Sequence, residues 1–283
     1  RLVQIRERNL QREKAILEDK VRERTKELAE KNTEITDSIN YAQNIQRAIL
    51  PAIKSIERGF EDSFVLFRPR DIVSGDFYWY TDKDDKSYLA ACDCTGHGVP
   101  GAFVSMIGNN LLNQIILEKN IEQPGEILSK LNQGVKFAFT QDGEQEAQDG
   151  MDMVLAVLDK KKMQLQFAGA NNPMIFIRDG ELDVKKADRT SIGGDTSMDF
   201  KFENFTVDVK HGDIFYLFSD GYPDQFGGIK GKKFMMRKYK QMILDNHQKP
   251  MSEQHDIYQA ELVDWMGDEH EQIDDVLVIG VKI

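Results

Sequence analysis

The sequence predicts an α+β fold of two layered sheets with flanking helices, preceded by one long helix, and three observations carry that prediction. Apolar residues at the start keep a spacing of 3.5 over about six heptads. After Pro51 the texture changes to short apolar runs bounded mostly by Gly, Asp, Asn or Pro, as strands are. Between these runs the helical stretches cluster in pairs instead of alternating one for one with strands, which favours an α+β arrangement over a parallel strand–helix repeat.

The first element covers residues 1 to about 50. Its a positions are Lys14, Val21, Leu28, Ile35, Ala42 and Ile49; its d positions are Val3, Leu10, Leu17, Arg24, Lys31, Ser38 and Ile45. No Gly or Pro interrupts the pattern before Pro51, which cannot continue a helix without a kink. Such a helix has little of its own to bury against, so the seam calls for a second helix. A parallel dimeric coiled coil is favoured over a solvated single helix or one packed back on the body. Arg24 and Lys31 interrupt the seam, so the coil is expected to be marginal and adjustable. Residues 1–52 are read as a coiled-coil signalling helix and 60–283 as the globular domain. Arg1 opens in mid-helix, so the sequence reads as a piece of a longer chain with a sensor or membrane segment upstream.

The strand candidates are Phe64–Phe67, Tyr88–Cys92, Val154–Leu158, Leu165–Ala168, Met174–Ile177, Ile214–Phe218 and Val276–Ile279. Helical stretches fall at roughly 101–119, 124–140, 232–246 and 252–266. Asn171, Asn172 and Pro173 form a turn, and Phe77, Tyr78 and Trp79 read as core.

Composition narrows the function. No apolar run approaches the ~18 residues of a membrane span, so no membrane contact is expected within this sequence. Cys92 and Cys94 are the only cysteines; a disulfide across that spacing is geometrically poor, and buried reduced thiols fit a reducing cytoplasm. Two thiols with no His at ligand spacing exclude a cysteine-based zinc site. The net charge is −11, and it is uneven: residues 1–58 hold 13 basic and 10 acidic side chains, the remainder 24 and 38. So acidic a body argues against nucleic-acid binding and suits cations.

The carboxylates lie at strand ends. Asp76 stands where a strand begins, Asp93 follows Tyr88–Cys92, Asp220 follows Ile214–Ser219, and Asp274 with Asp275 opens Val276–Ile279. Aspartate is depleted in strands, and a carboxylate against an apolar sheet is unfavourable unless paired or bound to a cation. One such aspartate is an ordinary turn former; four in the same setting, with few basic neighbours, point to divalent ions. Oxygen-only ligands favour Mg²⁺ or Mn²⁺ over zinc, and two such ions suit water activation at a phosphoryl group.

The V-S-G-D-F-Y stretch at 73–78, the D-x-T-G-H-G-x-P-G-A-x-x-S stretch at 93–105 and the S-D-G…D-D pair at 219–221 and 274–275 occur in that order over about residues 60–283. Together they resemble the metal-dependent PPM-type serine/threonine phosphatases, in particular the SpoIIE/RsbU-like branch. The resemblance implies a two-sheet β-sandwich with helices outside and a two-ion Mn²⁺ or Mg²⁺ centre. It implies Asp76, Asp93, Asp220 and Asp274 as ligands, with Asp93 bridging and the backbone carbonyl of Cys94 contributing. The family pattern puts the last ligand first in the Asp274–Asp275 doublet, although this chain has Leu277 where the family usually has Thr. The implied substrate is a phosphoprotein, typically a small anti-sigma-factor antagonist.

His97 is a candidate general acid, though a role in ordering its loop is the more ordinary reading. Gly96, Gly98 and Gly101 shape that loop. Arg68 and Arg70 are candidates to grip the substrate phosphate, against simple solvation. Asp152 is a peripheral acid. A catalytically silent signalling scaffold and a phosphatase of a small metabolite remain as alternatives.

Overall fold

The structure is a computed structural model that describes residues 2–139 and 149–283. The seam side chain of Val3 and residue 140 of the expected 124–140 helix lie outside the described residues. The chain divides into two compact units, residues 1–45 and 46–283.

The described residues of the first unit are helical and form the greater part of α1 (Leu2–Ile49). Seam residues Leu10, Leu17, Val21, Leu28 and Ile35 are all exposed, so the helix carries an apolar stripe in water. Ion pairs such as Arg24–Glu27 and Lys31–Glu34, three residues apart, decorate it.

In the second unit, the end of α1 is followed by α2 (Ile53–Gly59), then by β1 (Asp62–Arg68), β2 (Phe77–Lys83) and β3 (Lys86–Cys94). Helix α3 (Gly98–Leu112) runs into a π-helical turn (Asn113–Glu118), and α4 (Pro124–Phe139) follows. Next come β4 (Gly150–Asp159), β5 (Gln164–Ala170), β6 (Met174–Arg178), β7 (Glu181–Lys185), β8 (Ile192–Gly193), β9 (Phe205–Asp208) and β10 (Ile214–Phe218). The chain closes with α5 (Gly221–Asp224), the hairpin β11 (Phe226–Gly227) and β12 (Lys232–Lys233), α6 (Met235–Asn246), α7 (Met251–Met266) and β13 (Val276–Lys282).

One sheet has the order β1-β13-β10-β6-β7 and the other β2-β3-β4-β5-β9, with β8 on β4; all their ladders are antiparallel. The central strands are apolar on both faces because both faces are covered. Along β13, Leu277, Ile279 and Val281 enter the core between the sheets, while Val276 and Val278 face a cluster with Tyr239, Met242, Tyr258 and Leu262 of α6 and α7. On the other sheet, Leu89 and Ala91 point inward, while Tyr88, Ala90 and Cys92 face α3 and α4. The expected two-sheet sandwich with helices outside is therefore present.

All seven expected strands exist. Strand β2 begins directly after Asp76, as expected, and β7, β8, β9 and the hairpin β11–β12 are additional. Helix α1 ends at Ile49, before Pro51. Cys92 and Cys94 are buried free thiols whose burial pushes them well above the ordinary thiol range, so they are unreactive.

Candidate metal centre

Antiparallel pairing brings the aspartates to one end of the sandwich. In the first sheet Arg68 pairs with Val276 and Phe218 with Val278, so the exits of β1 and β10 lie beside the start of β13. In the second, Phe77 pairs with Cys92 and Asp93 with Asp152, so the start of β2 lies beside the exit of β3. Asp93 lies inside β3 instead of ending it, with Asp152 directly opposite on β4. Like charges placed so are destabilising unless neutralised.

Side-chain bonds join the two tips. Asp76, 2% exposed, accepts a hydrogen bond from Ser219 Oγ at 2.5 Å, and Ser219 Oγ in turn accepts the Leu277 N–H at 3.1 Å. Asp220, at the start of α5, stands near enough to Asp93 to raise it. Asp275, also 2% exposed, accepts the N–H groups of Arg70 and Gly75 at 2.7 Å and of Asp76 at 3.4 Å. Its charge is spent on closing the 70–76 loop. Asp274 is half-buried and faces Asp93 and Asp220, its carboxylate accepting the Asp275 N–H at 2.8 Å.

The glycines of the motifs permit the close approach. A Cβ on Gly75 would stand 2.6 Å from the Gly96 carbonyl and 3.2 Å from that of Cys94; on Gly101 it would stand 2.2 Å from the Gly96 carbonyl. The loop carrying Asp76 is thus laid against the loop after Asp93, with the Cys94 carbonyl turned toward it.

The electrostatics are those of an uncompensated acidic cluster. Burial and then the Asp93 carboxylate push Asp76 well above the usual carboxylate range. Burial followed by Asp220, Asp274 and Asp152 does the same to Asp93. Asp220 and Asp274 are raised as well, each chiefly by burial. The Asp275 N–H is the first influence that opposes this rise at Asp274, with the Arg70 guanidinium a smaller one. Among the described residues no group of three or more His, Cys, Asp or Glu side chains is arranged so that it could hold a metal ion. The aspartates instead stand near enough to raise one another, and carboxylate oxygens of this kind suit a hard ion that keeps several waters. Oxygen donors without paired cations fit Mg²⁺ or Mn²⁺, and the inert thiols do not compete.

The remaining candidates separate. His97 Nδ1 lies 2.8 Å from Asp71 Oδ2, an arrangement that fixes the start of α3. Arg70 stands beside Asp274. Arg68 contributes its carbonyl to Gln272 at 2.8 Å, and its guanidinium makes no ion pair among the described residues. Sequence reasoning missed Asp71, Ser219 and Gln46. Gln46, 5% exposed near the end of α1, donates to the Ser74 carbonyl at 2.6 Å and to Ser105 Oγ at 3.0 Å, and accepts the Ser74 N–H at 3.1 Å. Two recesses lie elsewhere: one of about 620 Å³ includes His211 and His247, and one of about 670 Å³ includes Leu111 and Phe137.

A sandwich with this acidic end is the fold of the PP2C phosphatases. The SiaA-PP2C domain of Pseudomonas aeruginosa superposes with a TM-score of 0.80 at 34% identity, covering 89% of this chain and 98% of that one. The PP2C phosphatase domain of SpoIIE from Bacillus subtilis, solved with a fragment of its regulatory domain, shares the fold with a TM-score of 0.62 at 21% identity, over 78% of this chain and 63% of that one. Residues 83–283 match the stage II sporulation protein E (SpoIIE) family, and the chain belongs to that family. The phosphoserine phosphatase RsbU of Bacillus subtilis (strain 168) is 27% identical over 192 residues, 66% of this chain; the chain spans about half of that relative's length, 54%. No helix among the described residues is long and apolar enough to cross a membrane.

Proposed function

We propose that residues 60–283 are a metal-dependent protein serine/threonine phosphatase, the cytoplasmic output domain of a bacterial signalling protein. The observation that carries this reading is that four aspartates, all raised by burial and three of them also by others of the four, lie at one end of a sandwich of the SpoIIE family. Asp76, Asp93, Asp220, Asp274 and the Cys94 carbonyl would hold two Mn²⁺ or Mg²⁺ ions. Such ions, when bound, acidify water and polarise phosphoryl oxygens.

The chain's own residues do the rest. Asp275 holds the 70–76 loop closed, so the Asp76 carboxylate stays aimed at the centre. Ser219 fixes that carboxylate's rotamer. Asp71 holds His97 at the rim, which favours loop ordering over proton donation. Arg70, beside Asp274, is placed to steer an incoming phosphate, and its forked donors suit that geometry. Arg68 is the weaker candidate for that role.

Residues 1–52 would transmit the signal as a dimeric coiled coil. Gln46 is the point of transmission, because it clamps Ser74, two residues before Asp76. Displacing Gln46 frees the ligand loop, which gives a two-state element biased from outside. The substrate class is a phosphoserine or phosphothreonine protein, with a small anti-sigma-factor antagonist as the specific proposal.

The test is phosphate release with Mn²⁺ from phosphoserine proteins, phosphothreonine proteins and an aryl phosphate. Turnover of the proteins, abolished by EDTA, is expected. Turnover of small phosphates with none of any phosphoprotein would favour the metabolite phosphatase, and no turnover at all the silent scaffold.

A further inference from the structure

The hairpin β11–β12 and the start of α6 form a basic stretch on an acidic chain. Residues 226–240 hold Lys230, Lys232, Lys233, Arg237, Lys238 and Lys240 and no acid, whereas residues 59–283 carry 24 basic and 38 acidic side chains. Two of the six have partners at 2.7 Å: Lys233 meets Asp224, and Lys238 meets Glu261 while lying over the rings of Phe234 and Trp265. Lys230, Lys232 and Arg237 are exposed and make no side-chain hydrogen bond or ion pair among the described residues.

The same stretch holds apolar side chains in water. Ile229 at the hairpin tip is 107% exposed, and Met235 is 58% exposed. Met235 sits at φ +72°, a strained conformation for a residue with a side chain, of the kind that clusters at functional sites.

The base of the hairpin is fixed, and fixed to the metal centre. The Gly228 N–H donates to the Trp265 carbonyl at 2.7 Å, and a Cβ on Gly227 would stand 1.9 Å from that oxygen. Gln225 accepts the Phe234 N–H on its carbonyl at 2.9 Å. Its side chain donates to the Glu271 carbonyl at 2.9 Å and accepts the Ile273 N–H at 3.1 Å, on the segment that leads into Asp274. A rigid stem therefore joins an exposed basic and apolar tip to the loop of a proposed ligand.

We propose that this hairpin docks the phosphorylated substrate, and that it fits an acidic phosphoserine segment with an apolar side chain among its acids. Ile229 packs on the apolar side chain, and Lys230, Lys232 and Arg237 face the carboxylates. The proposal rests on the reading of the site as a phosphoprotein phosphatase. Charge complementarity carries it: the acidic body repels an acidic partner elsewhere, so this surface both admits and orients one. The stem that carries this surface runs to the loop of Asp274, which favours a substrate of the site over a lipid surface.

The experiment compares two synthetic phosphoserine peptides of equal length, one with Asp, Glu and Leu flanks and one with Lys, Arg and Leu flanks, alongside an aryl phosphate, all with Mn²⁺. The full chain is expected to turn over the acidic peptide with a kcat/KM about tenfold higher, an advantage that shrinks at about 0.5 M salt as screening takes hold. Lys230→Glu/Lys232→Glu/Arg237→Glu removes the preference and leaves aryl phosphate turnover unchanged; Ile229→Ser lowers turnover of both peptides only. The milder Lys230→Ser/Lys232→Ser serves if the charge reversal melts early. An acidic-to-basic ratio unmoved by these variants overturns the proposal, as does wild-type co-sedimentation with phosphatidylserine vesicles that the charge reversal abolishes. Absence of aryl phosphate turnover in the wild type would sink the catalytic reading alone, since fluorescence anisotropy of the labelled peptides still tests docking.

Discussion

Replacing each member of the Asp274–Asp275 doublet by alanine separates loop closure from metal binding. Asp275 is buried and accepts two backbone N–H groups at 2.7 Å and a third at 3.4 Å. Bonds to a charged acceptor contribute about 1.5–3 kcal/mol each, so losing the two short ones costs about 3–6 kcal/mol. That is a large share of the ~5–15 kcal/mol that holds a domain together, and it corresponds to a fall in Tm of about 10 °C or more. Asp274→Ala gives up one N–H bond on a half-buried group and relieves repulsion with Asp93 and Asp220. The metal-free Tm of Asp274→Ala should therefore stay within a few degrees of wild type, about 1 kcal/mol or less. Its Mn²⁺-induced rise in Tm and its turnover should both disappear. Thermal melts by circular dichroism in EDTA and in Mn²⁺ read all of this. The reasoning is refuted if Asp275→Ala melts with the wild type while losing its Mn²⁺ response, or if Asp274→Ala is the unstable one and keeps it.

Three further outcomes are expected. The raised carboxyls of Asp76 and Asp93 bind more protons folded than unfolded, so their contribution is complete below the ordinary carboxylate range and is lost as pH rises through their folded values. The EDTA-treated protein should therefore melt higher at pH 5 than at pH 8, Mn²⁺ should stabilise more at pH 8, and Asp76→Asn should flatten the slope; a metal-free Tm that climbs with pH contradicts this. Gln46→Ala strands the buried N–H and carbonyl of Ser74 at a cost of about 2–4 kcal/mol and should weaken Mn²⁺ affinity in calorimetry more than Gln46→Glu, which keeps an acceptor for the Ser74 N–H; equal affinity in all three proteins removes Gln46 from the signal path. Deleting residues 1–36 should turn a dimer into a monomer in light scattering and remove the concentration dependence of turnover, and unchanged values in both would end the coiled-coil account.

Much of the fold was legible because its strands are buried on both faces. Val276–Ile279 and Ile214–Phe218 read as unbroken apolar runs since one face packs between the sheets and the other against helices. Strand β7, Glu181–Lys185, is an edge strand with no buried residue, so it left no such run. The strand-end position of the acids could be read, but not their opposition: Asp152 faces Asp93 only through the register of β3 and β4. The doublet was ambiguous for a similar reason, since one step along the chain decides which acid turns inward to the N–H groups. Gln46 was hidden by its setting. It falls one residue after the seam position Ile45, where a polar side chain reads as surface, and only the packed chain shows it buried against Ser74 and Ser105.

The most direct test of the metal centre is hydrolysis of an aryl phosphate by the wild type, Asp93→Asn and Asp220→Asn across a Mn²⁺ titration. The account predicts turnover that rises with Mn²⁺ and is abolished by EDTA in the wild type, and a loss of about 100-fold or more in both variants, the scale on which removing one electrostatic stabiliser of a transition state acts. Equal rates in the three proteins, or turnover indifferent to EDTA, would contradict it.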